Sequence, residues 1–265
     1  MALEELVDNL YFRLKPYKNA KTLLDFLKKD PQVNAMLNAA NAVAIQRLGY
    51  NDHGITHSHI ATFNAVKILQ LLYKKGIKPN LMSESKYAKF EDSLEVVIAA
   101  AYLHDIGNSV MRSQHELFGI ILAREIINRY YDKKSTQIEL NERKKSTIME
   151  GIIAHMGNPN WPPDSLEGKI VPVADACDMQ QGRARIPYIM GKKDIHSMSA
   201  LSITKVRIQE GEKKPLAILI EMEHSAGMFQ IEELLIKKIK AASFEQYVEI
   251  IANITSTKER IVYLE

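Results

Sequence analysis

Val96-Val97-Ile98-Ala99-Ala100-Ala101-Tyr102-Leu103-His104-Asp105-Ile106-Gly107 is an apolar run that ends in an imidazole and a carboxylate side by side. A core helix does not ordinarily close on such a pair. Burying both groups is costly unless something satisfies them together, and a divalent cation does so. Further histidines stand singly at His53, His57, His115 and His155, and Asp175 sits in the apolar setting Ile170-Val171-Pro172-Val173-Ala174. The chain reads as a protein with a metal site.

Composition limits the alternatives. At 265 residues, 46% hydrophobic and 25% charged, the chain is long enough for a sizeable core and too apolar for disorder. A net charge of +3 is too small to argue for nucleic acid. The single cysteine, Cys177, excludes an internal disulfide and a zinc ribbon, so a metal must be held by His and Asp. The N-terminus lacks the basic start and apolar stretch of a signal peptide, and no apolar run approaches the roughly 20 residues of a membrane helix. The expectation is a cytoplasmic protein with no membrane partner.

Up to about Met179 apolar residues recur at three and four positions, the helical period. Helices are expected in 23–48 with a break near Pro31, then in 57–73, 94–104, 114–130, 143–155 and 165–179, where Pro172 should start or kink a turn. The polar stretch 74–90 reads as a surface connection, and the run 132–146 as a solvated helix face and loop. The segment 158–163, rich in Asn and Pro, is a rigid loop able to overhang whatever His155 binds. After about Ala200 the pattern changes to strands at 203–209 and 216–222, a helix at 230–240 and a strand at 247–254. The predicted fold is mainly α: N-terminal helices (1–50) packed on a helical metal-binding domain (51–199), with a small C-terminal α+β appendage of β-β-α-β order (200–265). An open sheet edge in the appendage offers a surface for homo-oligomer formation.

His57, then His104-Asp105, then Asp175 in Val173-Ala174-Asp175-Ala176 resembles the H…HD…D signature of the HD-domain metal-dependent phosphohydrolases, over roughly residues 50–185. Gln114-His115-Glu116-Leu117-Phe118-Gly119 and Ile152-Ile153-Ala154-His155 resemble the two further histidine segments of binuclear members. The resemblance implies a helical bundle with His57, His104, Asp105 and Asp175 on one metal, and His115, His155 and a bridging Asp105 on a second. Hydrogen-bonded core imidazoles are the alternative for His115 and His155. Ligands of this kind suit Mn, Fe, Zn, Ni or Co more than calcium, and Mg is a further candidate for the two expected ions.

In the cyclic-nucleotide phosphodiesterases of the same superfamily, a histidine four residues before the first ligand protonates the leaving group. His53 in His53-Gly54-Ile55-Thr56-His57 resembles it, with a loop-capping role as the alternative. Asp105 and His53 are therefore the candidate catalytic residues. Arg112, Arg183 and Arg185 are candidate phosphate contacts, since guanidinium suits bidentate binding. Asp178 is a candidate for orienting a ligand histidine or Arg183. Asn108 departs from the lysine that often follows HD-x-Gly, and the Gly-Tyr-Pro segment of cyclic-di-GMP phosphodiesterases is absent after His155. The whole looks most like the archaeal and bacterial branch of HD phosphatases or phosphodiesterases.

The expected function is hydrolysis of a phosphomonoester or phosphodiester, with a nucleotide as the expected substrate, at a binuclear His/Asp site. Three alternatives stand beside it: an RNA phosphodiesterase resembling the HD domain of ribonuclease Y, a di-iron HD oxygenase, and a non-catalytic nucleotide-binding regulatory module.

Overall fold

The computed structural model describes residues 3–132, 137–181 and 195–264. In chain order the helices are α1 (Leu3–Arg13), α2 (Lys18–Lys29), α3 (Pro31–Asn41), α4 (Ile55–Lys74), α5 (Asn80–Glu84), α6 (Phe90–Leu103), α7 (His115–Tyr131), α8 (Ile138–Ala154) and α9 (Leu166–Ala176). Next come α10 (Ile195–Ser202), β1 (Ile203–Glu210) and β2 (Leu216–Met222). A helical run, α11, follows in three parts: Met228–Gln230, a π segment Ile231–Ile236, and Lys237–Ala241. The chain then forms β3 (Val248–Ile254) and β4 (Glu259–Tyr263).

The decisive element is α6. Every residue from Ser93 to Leu103 is buried, as a helix apolar on all sides requires. It is the spine around which α2, α4, α8 and α9 pack. Each of its fully buried Leu, Val and Ile side chains contributes about 1.5–3 kcal/mol. The Asn64 side-chain amide of α4 donates to the carbonyl of Ala174 in α9 at 3.1 Å, which fixes two site-bearing helices in register. One hydrophobic cluster runs from Leu10 in α1 through α6 to Ile254 in β3, so bundle and sheet share a core.

Several expectations need correction. The appendage contains a further strand, β4, giving a four-stranded sheet in the order β1-β2-β3-β4. The outer pairs are antiparallel and β2–β3 is parallel, with α11 as the crossover that a parallel pair demands. The stretch 74–90 is not all surface: α5 buries Leu81, and the amides of Asn80 and Leu81 donate to the buried Glu167 carboxylate. The described part of the run 132–146 is not all solvated either. Lys144 and Lys145 are buried; Lys144 meets Glu95 at 2.7 Å and Asp92 at 3.0 Å, because an acid on the spine helix needs a cation. Pro172 lies inside α9 without ending it; packing against α4 and α8 outweighs the roughly 3 kcal/mol cost of an interior proline. No helix of the described residues is long and apolar enough to cross a membrane.

Asp30 illustrates how local signals set the N-terminal helices. Its Oδ1 accepts from the amides of Gln32 and Val33, capping α3, and its Oδ2 pairs with Arg129 at 2.6 Å. Substituting Asp30→Ala should lower the unfolding free energy by about 1–2 kcal/mol, and Asp30→Asn, which keeps a capping oxygen, by less. Urea denaturation checks this, and equal losses for the two variants would contradict it.

Candidate metal centre

Four helix ends converge beside α6. His104 and His155 stand just past the C-termini of α6 and α8, while His57 lies in the first turn of α4 and His115 opens α7. Asp105 follows His104, and Asp175 comes from the last turn of α9. All six are buried.

Gly107 explains how α7 reaches the pair. A Cβ there would lie 1.9 Å from the carbonyl oxygen of His115 and 2.5 Å from the amide nitrogen of Gly119, so only glycine lets the Ile106–Ser109 turn lie against the start of α7. The Gly107→Ala variant should unfold at a markedly lower temperature, since overpacking against backbone costs at least about 1–3 kcal/mol. An unchanged melting temperature would show that α7 is not held by this contact.

Each histidine directs Nδ1 toward an acceptor. His104 Nδ1 meets the carbonyl of Ala101 at 2.8 Å, His155 Nδ1 that of Ile152 at 2.6 Å, and His115 Nδ1 that of Arg112 at 3.0 Å. His57 Nδ1 meets the carboxylate of Asp178 at 2.7 Å. A proton on each Nδ1 leaves each Nε2 with its lone pair, and the four Nε2 atoms face inward. They form two pairs, His57 with His104 and His115 with His155, each separated by 3.0 Å.

The Asp105 carboxylate lies between the pairs. Its Oδ2 is 3.5 Å from His57 Nε2 and 3.3 Å from His104 Nε2; its Oδ1 is 3.2 Å from His115 Nε2 and 3.6 Å from His155 Nε2. Asp175 Oδ1 adds a second oxygen to the first pair, 3.0 Å from His57 Nε2 and 3.6 Å from His104 Nε2. The groups His57–His104–Asp105 and Asp105–His115–His155 each bring their donor atoms within 4.8 Å of one another. The residues fit a metal on a further count: Asp105 Oδ2 is buried and receives no hydrogen bond. Lone pairs and carboxylate oxygens crowded this closely repel one another until a cation or a proton enters.

Without a metal a proton takes that place. Burial opposes charge on His104, but Asp105 and Asp175 outweigh it and pull its pKa up to about 10. Burial pushes His155 down to about 3, against the opposing attraction of the Asp105 carboxylate. Burial also opposes charge on Asp105, yet the His104 and His53 charges hold its carboxyl well below the usual range. A metal at the first pair must displace the His104 proton, so uptake at pH 7.5 should release about one proton there, and affinity should rise with pH up to about 10. Calorimetry in buffers of different ionisation enthalpy measures the count, and release of no proton would refute the assignment.

A cavity of about 780 Å³ opens onto the centre, lined by Asp105, His155 and Asp175 and by Tyr50, His53, Arg112, Gly157, Lys237 and Lys238 among others. His53 lies in the segment before α4; its amide donates to Asn41 Oδ1 and its Nδ1 meets the carbonyl of Asn51 at 2.5 Å. Arg112 reaches the cavity with its Nη1 donating to Asn108 Oδ1 at 3.1 Å, and its guanidinium stands 5.7 Å from the Tyr50 ring centre. Asn108 in turn donates to Asp105 Oδ1 at 2.8 Å, so the residue marked as a departure orients the carboxylate. Asp178 orients His57, one of the roles considered for it. Arg183 and Arg185 lie outside the described residues. Beside His155 the cavity wall is Met156 and Gly157, ahead of the 158–163 segment.

Sequence reasoning missed Lys238. Its ammonium, on α11 of the appendage, is buried and donates to Asp175 Oδ2. A signal existed: Ile231, Leu235, Lys238 and Ala242 follow the spacing of an apolar helix stripe, and all four are buried.

The profile of the HD domain matches residues 56–180, from the residue before His57 to just past Asp178. The chain belongs to the HD-domain family. It is also 41% identical over 249 residues, 92% of each chain, to the uncharacterized protein MJ1020 of Methanocaldococcus jannaschii. No solved structure matches the chain. Family membership accords with the divalent-metal chemistry that HD domains support and with the His/Asp groups able to hold a metal.

Proposed function

We propose that this HD-domain protein hydrolyses a small phosphomonoester or phosphodiester, of nucleotide size, at a centre where two divalent ions would share Asp105 as a ligand. The observation behind this reading is the division of one carboxylate: Oδ2 faces the His57–His104 pair and Oδ1 the His115–His155 pair. When bound, divalent ions lower the pKa of water from about 15.7 to near 7 and polarise phosphoryl oxygens.

The chain's own residues supply the rest. Arg112, tethered through Asn108, offers a guanidinium to phosphoryl oxygens at the cavity wall. His53, with Nδ1 on the Asn51 carbonyl, takes up and delivers a proton at Nε2, which suits it to protonate the leaving oxygen. The cavity volume falls within the range of small-ligand sites, which favours a nucleotide over an RNA strand. Tyr50, partly exposed at the rim, can stack on a base. An open edge at β1 or β4 remains our proposed surface for pairing two copies.

Asp105→Asn should reduce bound metal and lower turnover of p-nitrophenyl phosphate or its diester by at least about 100-fold, because it removes the shared anionic ligand. Metal analysis with steady-state kinetics in manganese checks both. Turnover surviving the substitution would overturn the reading, and oxygen consumption by the iron-loaded protein in place of phosphoester cleavage would favour the oxygenase.

A further inference from the structure

We propose that Lys238 is a phosphate-binding residue of this centre, so that the C-terminal appendage forms part of the substrate site. The inference rests on the two-ion phosphohydrolase reading and deepens it. Lys238 projects from the last part of α11, lines the cavity beside Asp105 and Asp175, and is 8% exposed. A buried ammonium must be paired, and one of its three N–H donors is spent on Asp175 Oδ2, while Asp175 Oδ1 faces His57 and His104. Two donors remain at a cavity wall.

The backbone is shaped to bring it there. Gly157 has φ +69°, and a Cβ at that position would stand 3.0 Å from Lys238 Cγ and 3.3 Å from its Cα, so α11 packs flush on the turn after His155. The contact joins the segment behind one candidate ligand to the lysine that touches another. Lys237, the residue before it, also lines the cavity, but its side chain is largely exposed and pairs with Glu233 on its own helix.

Charge separates a substrate role from a purely structural one. A fixed ammonium bonded to a metal ligand draws electron density from it and repels a divalent ion, so an amide would hold Asp175 with less harm to metal affinity. The ammonium is favoured when an anion joins the site. Asp105, Glu116, Asp175 and Asp178 against Arg112 and Lys238 leave two negative charges; two divalent ions would reverse this to two positive, which one phosphoryl dianion neutralises. Lys238 and Arg112 both line the cavity and would bind that dianion together.

The test uses the full chain loaded with manganese and inorganic phosphate as the probe. Lys238→Met should weaken phosphate binding by calorimetry about tenfold or more and raise KM for p-nitrophenyl phosphate more than it lowers kcat, with metal content retained. Lys238→Arg should restore most of the phosphate affinity. Should Lys238→Met fold poorly in a thermal melt, Lys238→Gln takes its place with the same expectation. Unchanged phosphate affinity in the neutral variant, equal loss in the arginine variant, a loss fully accounted for by missing metal, or a wild-type protein that binds no phosphate would each overturn the proposal. A wild-type protein that binds phosphate through Lys238 yet cleaves no phosphoester would leave this inference standing and remove the hydrolase reading.

Discussion

The structure depends on one repulsion. Asp105 is 2% exposed, one of its oxygens has no hydrogen-bond donor, and the Nε2 lone pairs of four imidazoles crowd around it. A stable fold would not gather these groups for packing alone, since apolar side chains of similar volume would do better. The arrangement makes sense as a trap for positive charge, and the carboxylates of Asp105 and Asp175, which raise the His104 pKa, favour a proton there when nothing stronger is present. The surrounding architecture holds that trap shut. The spine helix α6 delivers His104 and Asp105 to a point where α4, α7, α8 and α9 all end or begin, and Gly107 lets α7 close against it.

Much of this was legible in the sequence because the constraints there are local. The run from Val96 to Leu103 is apolar on every face, and a helix of that kind has only the core to occupy. His104, Asp105, His155 and Asp175 each interrupt or end an apolar stretch, His57 and His115 stand shortly before one, and the structure brings all six together. Elements whose reading failed were those decided by partners distant in the chain. Lys144 and Lys145 looked solvated because charge is normally outside, whereas Glu95, 49 residues before Lys144, draws that lysine inward. Lys238 was hidden for the same reason, its partner Asp175 lying 63 residues earlier. Both lysines interrupt buried faces, a pattern that periodicity alone scores as noise.

The appendage and the bundle also proved less separable than the change from helical to strand pattern suggests. The shared hydrophobic cluster from Leu10 to Ile254 means that β2 and β3 bury side chains in the same interior as α6. Placing α11 as the crossover between two parallel strands points its buried stripe at the bundle, and Lys238 is the polar member of that stripe. The sheet thus positions a helix, and the helix positions a cation.

The Nδ1 contacts divide the histidines into two kinds. His104 and His155 donate to the carbonyls of Ala101 and Ile152, three residues back in their own helices, and so cap the helices that carry them. In those two, ligand orientation is a by-product of helix termination, and no substitution elsewhere can retune the ring without altering the main chain. His57 alone takes its orientation from a side chain distant in sequence, Asp178 on the far side of Asp175. Evolution therefore has an adjustable handle at one end of the Asp105 carboxylate and a backbone-locked ring at the other. Drift in metal preference among relatives would be expected to begin at the Asp178 position while the capped histidines stay fixed.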